Sequence, residues 1–390
     1  MTSSPTVVVV GGGPAGAVAA IVLARAGIDT LVLEVNPGPA SQLGSKLGGK
    51  LGTKGGTKIG GILSPTVGPL LERLELLSVV ETAGQRACLG YCSVWGSDEP
   101  IEEDCLFGTF GAGWRVDRER FEGLLAQAVL EAGAGWQWGH HAVDAQWSGG
   151  RWRLVVEAPE ALISVEADFV IDATGRRARF ARSVGAQPQQ LDKLVGVAVT
   201  LEPTDVPVMD GFTLVEALPE GWWYAAPVVD GRVIAVFLTD SDRLRPSEVR
   251  ARGGWHTLLA STLHTRDWLA PHLRGAAEPT PRIMPAGSTC LQAPIGHGWL
   301  AVGDAAVAFD PLSSYGMSSA ITTGYYGAGA VIDHLKGEPD ALSTYDQRVA
   351  RMYDEYLDRL AEYYGLEQRW PYELFWSRRH QRLERTSSGA

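Results

Sequence analysis

The chain opens with an apolar segment that runs directly into a glycine-rich turn and then into a helical pattern. Thr6–Val10 is mostly β-branched, which is typical of a strand buried on both faces of a parallel sheet. It is followed by Gly11–Gly16 (GGGPAG) and by the small and apolar residues 17–24. Gly27 ends the helical pattern, and Thr30–Glu34 has the composition of a second strand. This order predicts an α/β fold built on a parallel sheet.

The turn has the spacing G-x-G-x-x-G, in the position between strand and helix where that spacing binds a dinucleotide. Gly11 allows the tight turn, Gly13 lets the backbone approach a pyrophosphate, and Gly16 lets the helix pack closely on the strand. The helix then presents its N-terminal N–H groups and positive dipole end to the phosphates. Glu34 ends the second strand where an acceptor for ribose hydroxyls belongs. The predicted nucleotide-binding residues are Gly11, Gly13, Pro14, Ala15, Gly16 and Glu34.

Composition narrows the class of function. The 390 residues carry 34 Lys and Arg against 45 Asp and Glu, a formal net charge of −11, which argues against a nucleic-acid partner. The 4 cysteines are too few and too irregularly spaced for a disulfide framework or a metal site. The apolar run 7–24 lacks basic residues before it and is interrupted by glycines, so we predict neither an export signal nor a membrane span. We expect a cytoplasmic protein with reduced thiols and no metal.

Two later segments have the pattern of strands that end in turns. Ala167–Gly175 is an apolar strand that ends in Asp-Ala-Thr-Gly, and Gly298–Asp304 is a second one that ends in Gly-Asp. Phe309–Met317, which contains Asp-Pro and a glycine, follows and leads into a small-residue helix from Ser318 to roughly Leu335.

Together with the first turn and with Arg118 in Val116–Phe121, these segments resemble the FAD-dependent aromatic hydroxylases and the related flavin-dependent halogenases. The resemblance implies FAD, reduced by NAD(P)H or by a partner flavin reductase. It implies an α/β fold with a Rossmann-like FAD-binding domain of the glutathione-reductase type, as in para-hydroxybenzoate hydroxylase. An inserted antiparallel β-sheet would form the substrate domain, and helices would end the chain.

The same resemblance implies roles at the cofactor. Asp304 would accept hydrogen bonds from the ribityl chain, and Arg118 would contact the pyrophosphate. Ser313 or Ser314 would cap the helix whose N–H groups point at the flavin pyrimidine ring, where they stabilise the negative charge of reduced flavin. The further residues predicted at the cofactor are Arg118, Thr174, Gly175, Gly303, Asp304, Pro311, Ser314, Gly316 and Met317.

The spacing of these motifs predicts how the chain is divided. The FAD-binding domain takes 1–80, 105–190 and 285–335, and the substrate-domain sheet takes 81–104 and 191–284. A long C-terminal helix, near Ala341 to Leu366, and a tail take 336–390. Aromatic residues of the sheet segments suit the wall of a substrate pocket, and Trp95, Trp222, Trp223 and Tyr224 are the best placed. The residues predicted in the pocket are Trp95, Trp222, Tyr224 and Pro227. His140 and His141 are adjacent on a predicted strand and point to opposite faces, so we interpret both as structural. No catalytic acid or base is assigned.

Four of the six lysines recur every fourth residue, at Lys46, Lys50, Lys54 and Lys58. The many glycines between them make a helix improbable. We interpret 41–61 as a loop over the FAD, either an electropositive lid or a solvated segment.

Three departures separate this chain from the halogenases it resembles. It has no Lys between Lys58 and Lys193, where the resemblance implies the halogenase lysine. The halogenase Trp-x-Trp-x-Ile-Pro motif corresponds to Trp222–Pro227, which keeps the proline and differs elsewhere. Tyr315 stands where a small polar residue is usual. We therefore predict a monooxygenase that hydroxylates an aromatic substrate through a flavin C4a-hydroperoxide, with two alternatives: a halogenase, and a dehydrogenase or reductase without oxygen insertion.

The C-terminal segment Tyr363–His380 resembles that of a subgroup near the halogenases. This subgroup includes flavoproteins that hydroxylate a peptidyl tryptophan while quinone cofactors mature. A Trp- or indole-like substrate, free or bound to a peptide or carrier, fits the resemblance, and both forms stay open.

Overall fold

The fold was analysed in a computed structural model that describes residues 5–38, 60–83, 86–104, 112–204 and 211–387. Its strands are β1 (Val7–Val10), β2 (Thr30–Glu34), β3 (Ile62–Leu63), β4 (Arg86–Cys88), β5 (Gly90–Val94), β6 (Ile101–Asp104), β7 (Gly113–Arg115), β8 (Gly135–Trp138), β9 (His141–Ser148), β10 (Arg151–Glu157), β11 (Leu162–Ala167), β12 (Phe169–Asp172), β13 (Pro188–Gln190), β14 (Leu194–Leu201), β15 (Phe212–Leu218), β16 (Gly221–Pro227), β17 (Val233–Asp240), β18 (Arg282–Pro285), β19 (Thr289–Leu291), β20 (Ile295–Gly296), β21 (Trp299–Ala301) and β22 (Val307–Ala308).

Its helices are α1 (Pro14–Arg25), α2 (Gly68–Arg73), α3 (Leu77–Thr82), α4 (Arg118–Glu131), α5 (Arg179–Ser183), α6 (Pro246–Arg250), α7 (Gly254–Leu259), α8 (Thr265–Leu273), α9 (Gly316–Leu335), α10 (Ala341–Leu366) and α11 (Leu374–Ser387). No helix in the described ranges combines the length and the apolar composition needed to cross a membrane.

A six-stranded sheet carries the N-terminal unit, with the strand order β20-β21-β12-β1-β2-β8. All its neighbouring pairs are parallel except β20 with β21. β1 lies inside the sheet and pairs Val7 with both Thr30 and Phe169, so its four valines are buried on both faces. The predicted α/β fold with a Rossmann-like unit is confirmed, and the all-valine strand is explained by its central position.

A seven-stranded sheet forms the second layer, with the order β18-β14-β17-β16-β15-β5-β6. It is antiparallel except between β15 and β5. Side chains alternate along β16: Trp223 packs on Trp255 of α7, with ring centroids 5.7 Å apart, whereas Trp222 and Tyr224 point to the opposite face. The small helices α6–α8 therefore cover one face, and the other face is turned toward the N-terminal unit.

Helices join the two layers. α1 packs on α9 at Gly324, where a Cβ would lie 2.3 Å from the carbonyl oxygen of Ala15, so only glycine permits this approach. α10 and α11 follow and pack on each other. Arg379 of α11 pairs with Asp240 at the end of β17, at 3.0 Å. The C-terminal helices are thereby anchored to the seven-stranded sheet.

Candidate functional site

One cavity of about 650 Å³ extends from the six-stranded sheet to the face of the seven-stranded sheet that is turned toward it. Its first part lies at the carboxyl ends of parallel strands, where Val10, Glu34 and Val302 contribute to the wall. Ligands of open parallel sheets bind at this edge because the chain reverses there and frees backbone groups. Its other part is lined by strands β14, β16, β17 and β18.

The glycine-rich turn forms one wall of the cavity. Gly11 has φ +106°, and a Cβ there would lie 2.4 Å from the carbonyl oxygen of Ala173. Gly16 brings α1 onto the turn, since a Cβ there would lie 2.0 Å from the carbonyl oxygen of Gly11. Gly13 differs, because a Cβ there would meet no protein atom within 4 Å and the residue lines the cavity. The space beside Gly13 is therefore available to a ligand.

Glu34 lies at the end of β2, is only 6% exposed and lines the same end of the cavity. Its Oε2 accepts the N–H of Gly12 at 2.6 Å, and its Oε1 accepts the N–H of Asn36 at 2.8 Å. Oε1 also accepts the side-chain Nδ2–H of Asn36 at 2.5 Å. Since each carboxylate oxygen can accept two hydrogen bonds, Oε2 is the oxygen that retains capacity toward a ribose hydroxyl. The backbone contacts fix the carboxylate at the edge of the cavity.

The structure changes our interpretation of the two adjacent histidines. His140 precedes β9 rather than lying within it, and both His140 and His141 line the nucleotide end of the cavity. The ring of His140 contacts the Trp138 carbonyl at 2.8 Å, and His141 contacts Arg179 at 2.6 Å. Strand alternation does not separate the two side chains, because His140 lies outside β9.

Arg118 and the Asp-Ala-Thr-Gly turn lie on neighbouring walls. Arg118 opens α4, donates to the Gly60 carbonyl at 2.8 Å and pairs with Glu122 at 2.7 Å. Thr174 donates its hydroxyl to Asp172 at 2.7 Å, which fixes the turn at the end of β12. Gly175 has φ +68° and begins a 3₁₀ turn. Arg118, Thr174 and Gly175 all line the cavity.

Asp304 lines the cavity and is half-buried beside Arg176, whose Nε is 3.4 Å from its carboxylate. Burial raises the pKa of Asp304, while Arg176 and then Arg118 oppose this rise. Gly303 has φ +60° and a Cβ there would lie 2.7 Å from that of Ala15. Gly303 is not among the described residues that line the cavity, so it permits a close approach rather than contacting a ligand.

The segment after β22 brings a second helix N-terminus to the cavity. Asp310 caps a 3₁₀ turn through Leu312, and Ser314 has φ +50°. The predicted serine cap of the following helix is absent: α9 begins at Gly316, and its N-cap residue Tyr315 makes no side-chain capping bond. The cavity-lining residues of this segment include Pro311, Ser314, Gly316 and Met317. The first N–H groups of α9 therefore lack a side-chain acceptor beside the cavity.

Asp310 joins this segment to the C-terminal helices through a buried hydrogen-bond chain. Trp222 donates its indole N–H to the Tyr364 hydroxyl at 3.0 Å, and that hydroxyl donates to Asp310 at 2.8 Å. Asp310 is 1% exposed, and burial raises its pKa to about 6, with a further rise from Asp192. The bonds from Leu312 and Tyr364 oppose that rise. An acidic group that titrates near neutrality therefore lines the cavity.

The sheet end of the cavity is mainly apolar. Tyr224 is the titratable side chain that the seven-stranded sheet contributes there, and burial raises its pKa to about 12, so the phenol stays protonated. The other lining residues from this sheet are Gly196, Val236, Leu238, Met284 and Pro285. Such a surface excludes water from whatever lies against it.

Three of the four predicted substrate-pocket residues, two tryptophans and a proline, are placed elsewhere. Trp95 and Trp222 are not among the described residues that line the main cavity. Their rings pack on each other with centroids 6.2 Å apart, and the indole N–H of Trp95 donates to the Tyr363 carbonyl. Pro227 lines a smaller neighbouring cavity instead. The C-terminal helices cover this part of the sheet, which sequence reasoning did not anticipate.

Sequence reasoning also missed residues that do line the cavity. Arg176, Arg177 and Arg179 follow the Asp-Ala-Thr-Gly turn directly, and this run of arginines was a visible signal. Gly196 and Met284 carried no recognisable signal because long-range strand pairing brings them together. The four lysines of the predicted loop, Lys46, Lys50, Lys54 and Lys58, lie outside the described residues.

The described residues fit an FAD molecule. The cavity has the volume of a cofactor site and two helix N-termini, those of α1 and α9, open onto it without side-chain caps. Gly13 leaves room at the first, and a Cβ at Gly316 would also meet no atom within 4 Å at the second. Glu34 lines the same end of the cavity as α1, where a carboxylate could accept a ribose hydroxyl. One elongated ligand with phosphates near one helix and an anion-forming ring near the other matches this arrangement.

Comparison with known proteins gives consistent relatives. A family model described as FAD dependent oxidoreductase matches residues 6–190. The protein described as FAD-dependent oxidoreductase LodB, from Marinomonas mediterranea, is 30% identical over 381 residues, covering 96% of this chain and 96% of LodB.

Two solved structures have the same fold. The myxobacterial chondrochloren halogenase CndH superimposes with a TM-score of 0.82 at 23% identity, covering 98% of this chain and 89% of CndH. The peptidyl tryptophan dihydroxylase QhpG superimposes with a TM-score of 0.75 at 21% identity, covering 97% and 79%.

Proposed function

Since the chain belongs to the FAD-dependent oxidoreductases, we propose that it is a monooxygenase that hydroxylates an electron-rich aromatic substrate. FAD is the cofactor, and its adenosine end would lie at Glu34 and its flavin end at α9. The observation that carries the proposal is the continuous cavity, which runs from a dinucleotide cradle to an apolar sheet face. Such a cavity suits a reaction that must exclude water between flavin and substrate.

At the nucleotide end, the proposed work of the residues is binding. Glu34 would accept hydrogen bonds from ribose hydroxyls, since its orientation is already fixed by the N–H of Gly12. The N-terminus of α1 at Gly13 would receive the pyrophosphate. Arg118 and Arg176 add positive charge along the same path, each beside a carboxylate that holds it in place. These contacts orient the cofactor along the cavity.

At the other end, the proposed work is orientation and electrostatics. Reduced FAD, when bound, supplies the chemistry that activates O₂ and delivers one oxygen atom to a substrate carbon. The N–H groups at the start of α9 would stabilise negative charge on the ring nearest Gly316. Val236, Leu238 and Met284 form the wall that keeps water from the reacting atoms. Tyr224, protonated, would donate a hydrogen bond to a substrate held against this wall.

The choice of hydroxylation over halogenation depends on the lining of the cavity. The described residues that line it include no lysine. Of the two lysines in the described ranges, Lys193 pairs with Asp242 at 3.0 Å, and Lys336 is exposed at the end of α9. The similarity to LodB covers nearly the whole of both chains and is compatible with either reaction. The substrate is proposed to be Trp- or indole-like, free or within a peptide or carrier, with NAD(P)H or a flavin reductase as the source of electrons.

The fate of isotopically labelled O₂ tests the proposal. Holoenzyme reduced without oxygen would be mixed with labelled O₂ and with indole, tryptophan or tryptophan-containing peptides, with and without bromide. A hydroxylase adds one labelled oxygen atom to a product whether or not bromide is present. Brominated product would assign a halogenase. A product formed without incorporated label would assign a dehydrogenase or reductase and overturn the proposal.

Gly13→Val provides the matched control. The backbone at Gly13 has φ −67° and ψ 179°, which any residue can adopt, and the added side chain would enter only the cavity. The variant is expected to fold, to lose FAD and to lose activity. A Gly13→Val protein that binds FAD normally would show that the cofactor lies elsewhere.

A further inference from the structure

Arg115 is a buried arginine that the proposed reaction does not use. It ends β7, is 2% exposed and lies where the short sheet β3-β7-β4 meets the seven-stranded sheet. Its Nη1 donates to the Pro227 carbonyl at 2.8 Å, and its Nη2 donates to the Thr213 hydroxyl at 3.1 Å. Longer contacts join Nη2 to the Gly211 carbonyl and to the Cys88 sulfur, at 3.4 and 3.7 Å. These contacts hold the guanidinium in one position.

Among the described residues, no opposite charge lies beside Arg115. No salt bridge joins Arg115 to a carboxylate within the described ranges, and its buried Nε has no hydrogen-bond partner there. A buried cation held only by neutral acceptors is unfavourable, because it has lost its water without gaining a counter-charge. An anion would remove this deficit.

A small cavity lies against this group. It has a volume of about 50 Å³, and Arg115, Arg118, Tyr224 and Arg232 contribute to its wall. An aromatic ring needs about 150 Å³, as in the engineered cavity that binds benzene, whereas a single water needs only about 10–15 Å³. The cavity therefore suits a halide or one carboxylate group and excludes a ring.

The other charged groups around this cavity are already engaged or exposed. Arg118 pairs with Glu122, and Arg232 pairs with Asp230. Two acids, Asp117 and Glu119, also line this cavity. Asp117 accepts the N–H groups of Glu119 and Arg120 as the cap of α4. Glu119 is exposed. Arg115 is thus the cation of this cavity whose charge is not matched within the described part of the chain.

We propose that Arg115 and the small cavity beside it form a binding site for a small monovalent anion. The site adjoins the main cavity, because Gly60, Ile62, Arg118 and Tyr224 line both. The anion is either a free halide or the carboxylate of an aromatic substrate whose ring lies in the main cavity. The halide form of this proposal needs only Arg115 and its surroundings, whereas the carboxylate form rests on the aromatic substrate of the proposed function.

Anomalous diffraction from holoenzyme crystals soaked in bromide locates the anion directly. The expected result is a bromide peak within hydrogen-bond distance of Arg115 Nε. The peak should disappear in Arg115→Met and persist in Arg232→Met, which removes a cation of the same cavity that is already paired. Bromide bound elsewhere but not at Arg115, in wild-type crystals, would overturn the proposal whatever the folding of the variants.

Ligand affinity distinguishes the two sources of the anion. Dissociation constants would be measured in holoenzyme for an indole carboxylate and its carboxamide, with and without bromide. If the substrate supplies the anion, bromide competes with the indole carboxylate and not with the carboxamide. Arg115→Met then weakens the affinity for the indole carboxylate at least tenfold and leaves the affinity for the carboxamide unchanged. If free halide is the ligand, bromide binds saturably and competes with neither compound. Unchanged bromide and carboxylate binding in Arg115→Met would overturn the site, and Arg115→Lys, which keeps the charge, should retain part of the affinity.

Discussion

Replacing Asp310 by Asn should remove a pH dependence from the stability of the fold. Asp310 is 1% exposed, and burial raises the pKa of its carboxyl from 3.8 to about 6. Because the folded chain holds this proton more tightly than the unfolded chain does, protonation stabilises the fold. The contribution is fully present below pH 3.8 and is lost as the pH rises through about 6.

The difference between the folded and unfolded pKa of Asp310 corresponds to about 3 kcal/mol over the whole titration. Between about pH 7.5 and about pH 4.5, wild type should gain roughly 2 kcal/mol of unfolding free energy relative to Asp310→Asn. The asparagine can still accept the N–H of Leu312 and contact the Tyr364 hydroxyl, so the packing around it is retained.

The assay is guanidinium unfolding of the cofactor-free proteins at the two pH values, since bound FAD would add a pH dependence of its own. Other buried carboxyls are common to both proteins and cancel in the difference. If both proteins change by the same amount, within about 0.5 kcal/mol, then Asp310 does not titrate as its burial implies.

Three further substitutions test separate parts of the site. Gly11→Ala should lower the unfolding free energy by about 1–3 kcal/mol through the positive φ at this position alone, and it should abolish FAD retention. Gly123→Ala, on the exposed face of α4, should change neither the stability, measured by thermal unfolding, nor FAD retention, measured by absorbance. Glu34→Gln should weaken FAD about tenfold in calorimetric titration, and an unchanged affinity would contradict the ribose contact. Tyr364→Phe should lower the unfolding free energy by about 2–4 kcal/mol, because it removes a hydrogen bond to Asp310 and leaves the indole N–H of Trp222 unpaired. As the control, Tyr363→Phe, at a half-exposed residue, should change the unfolding free energy by less than about 0.5 kcal/mol.

Local patterns predicted the elements that local interactions determine. The N-terminal strand, turn and helix could be located because glycine conformation and strand burial act within a few residues of each other. The long C-terminal helix was predicted near Ala341–Leu366, and the structure has those bounds. The start of α9 was predicted two residues late, at Ser318 rather than Gly316, because the missing side-chain cap left no signal at its first turn.

Contacts between distant segments escaped sequence reasoning. Trp222 and Tyr224 share a face of β16, but only the position of α10 decides that the first meets Tyr364 and the second faces the cavity. The same holds for Arg115, whose partners Pro227 and Thr213 are about a hundred residues away in the chain. Period-2 alternation gives the face of a strand but not what covers that face.

The most direct test of the account is the position of FAD in a crystal structure of the holoenzyme. We predict the adenosine at Glu34, the pyrophosphate at Gly13, and the flavin ring between the start of α9 and the wall formed by Val236, Leu238 and Met284. A flavin ring turned away from that sheet face, or an FAD bound outside this cavity, would contradict it.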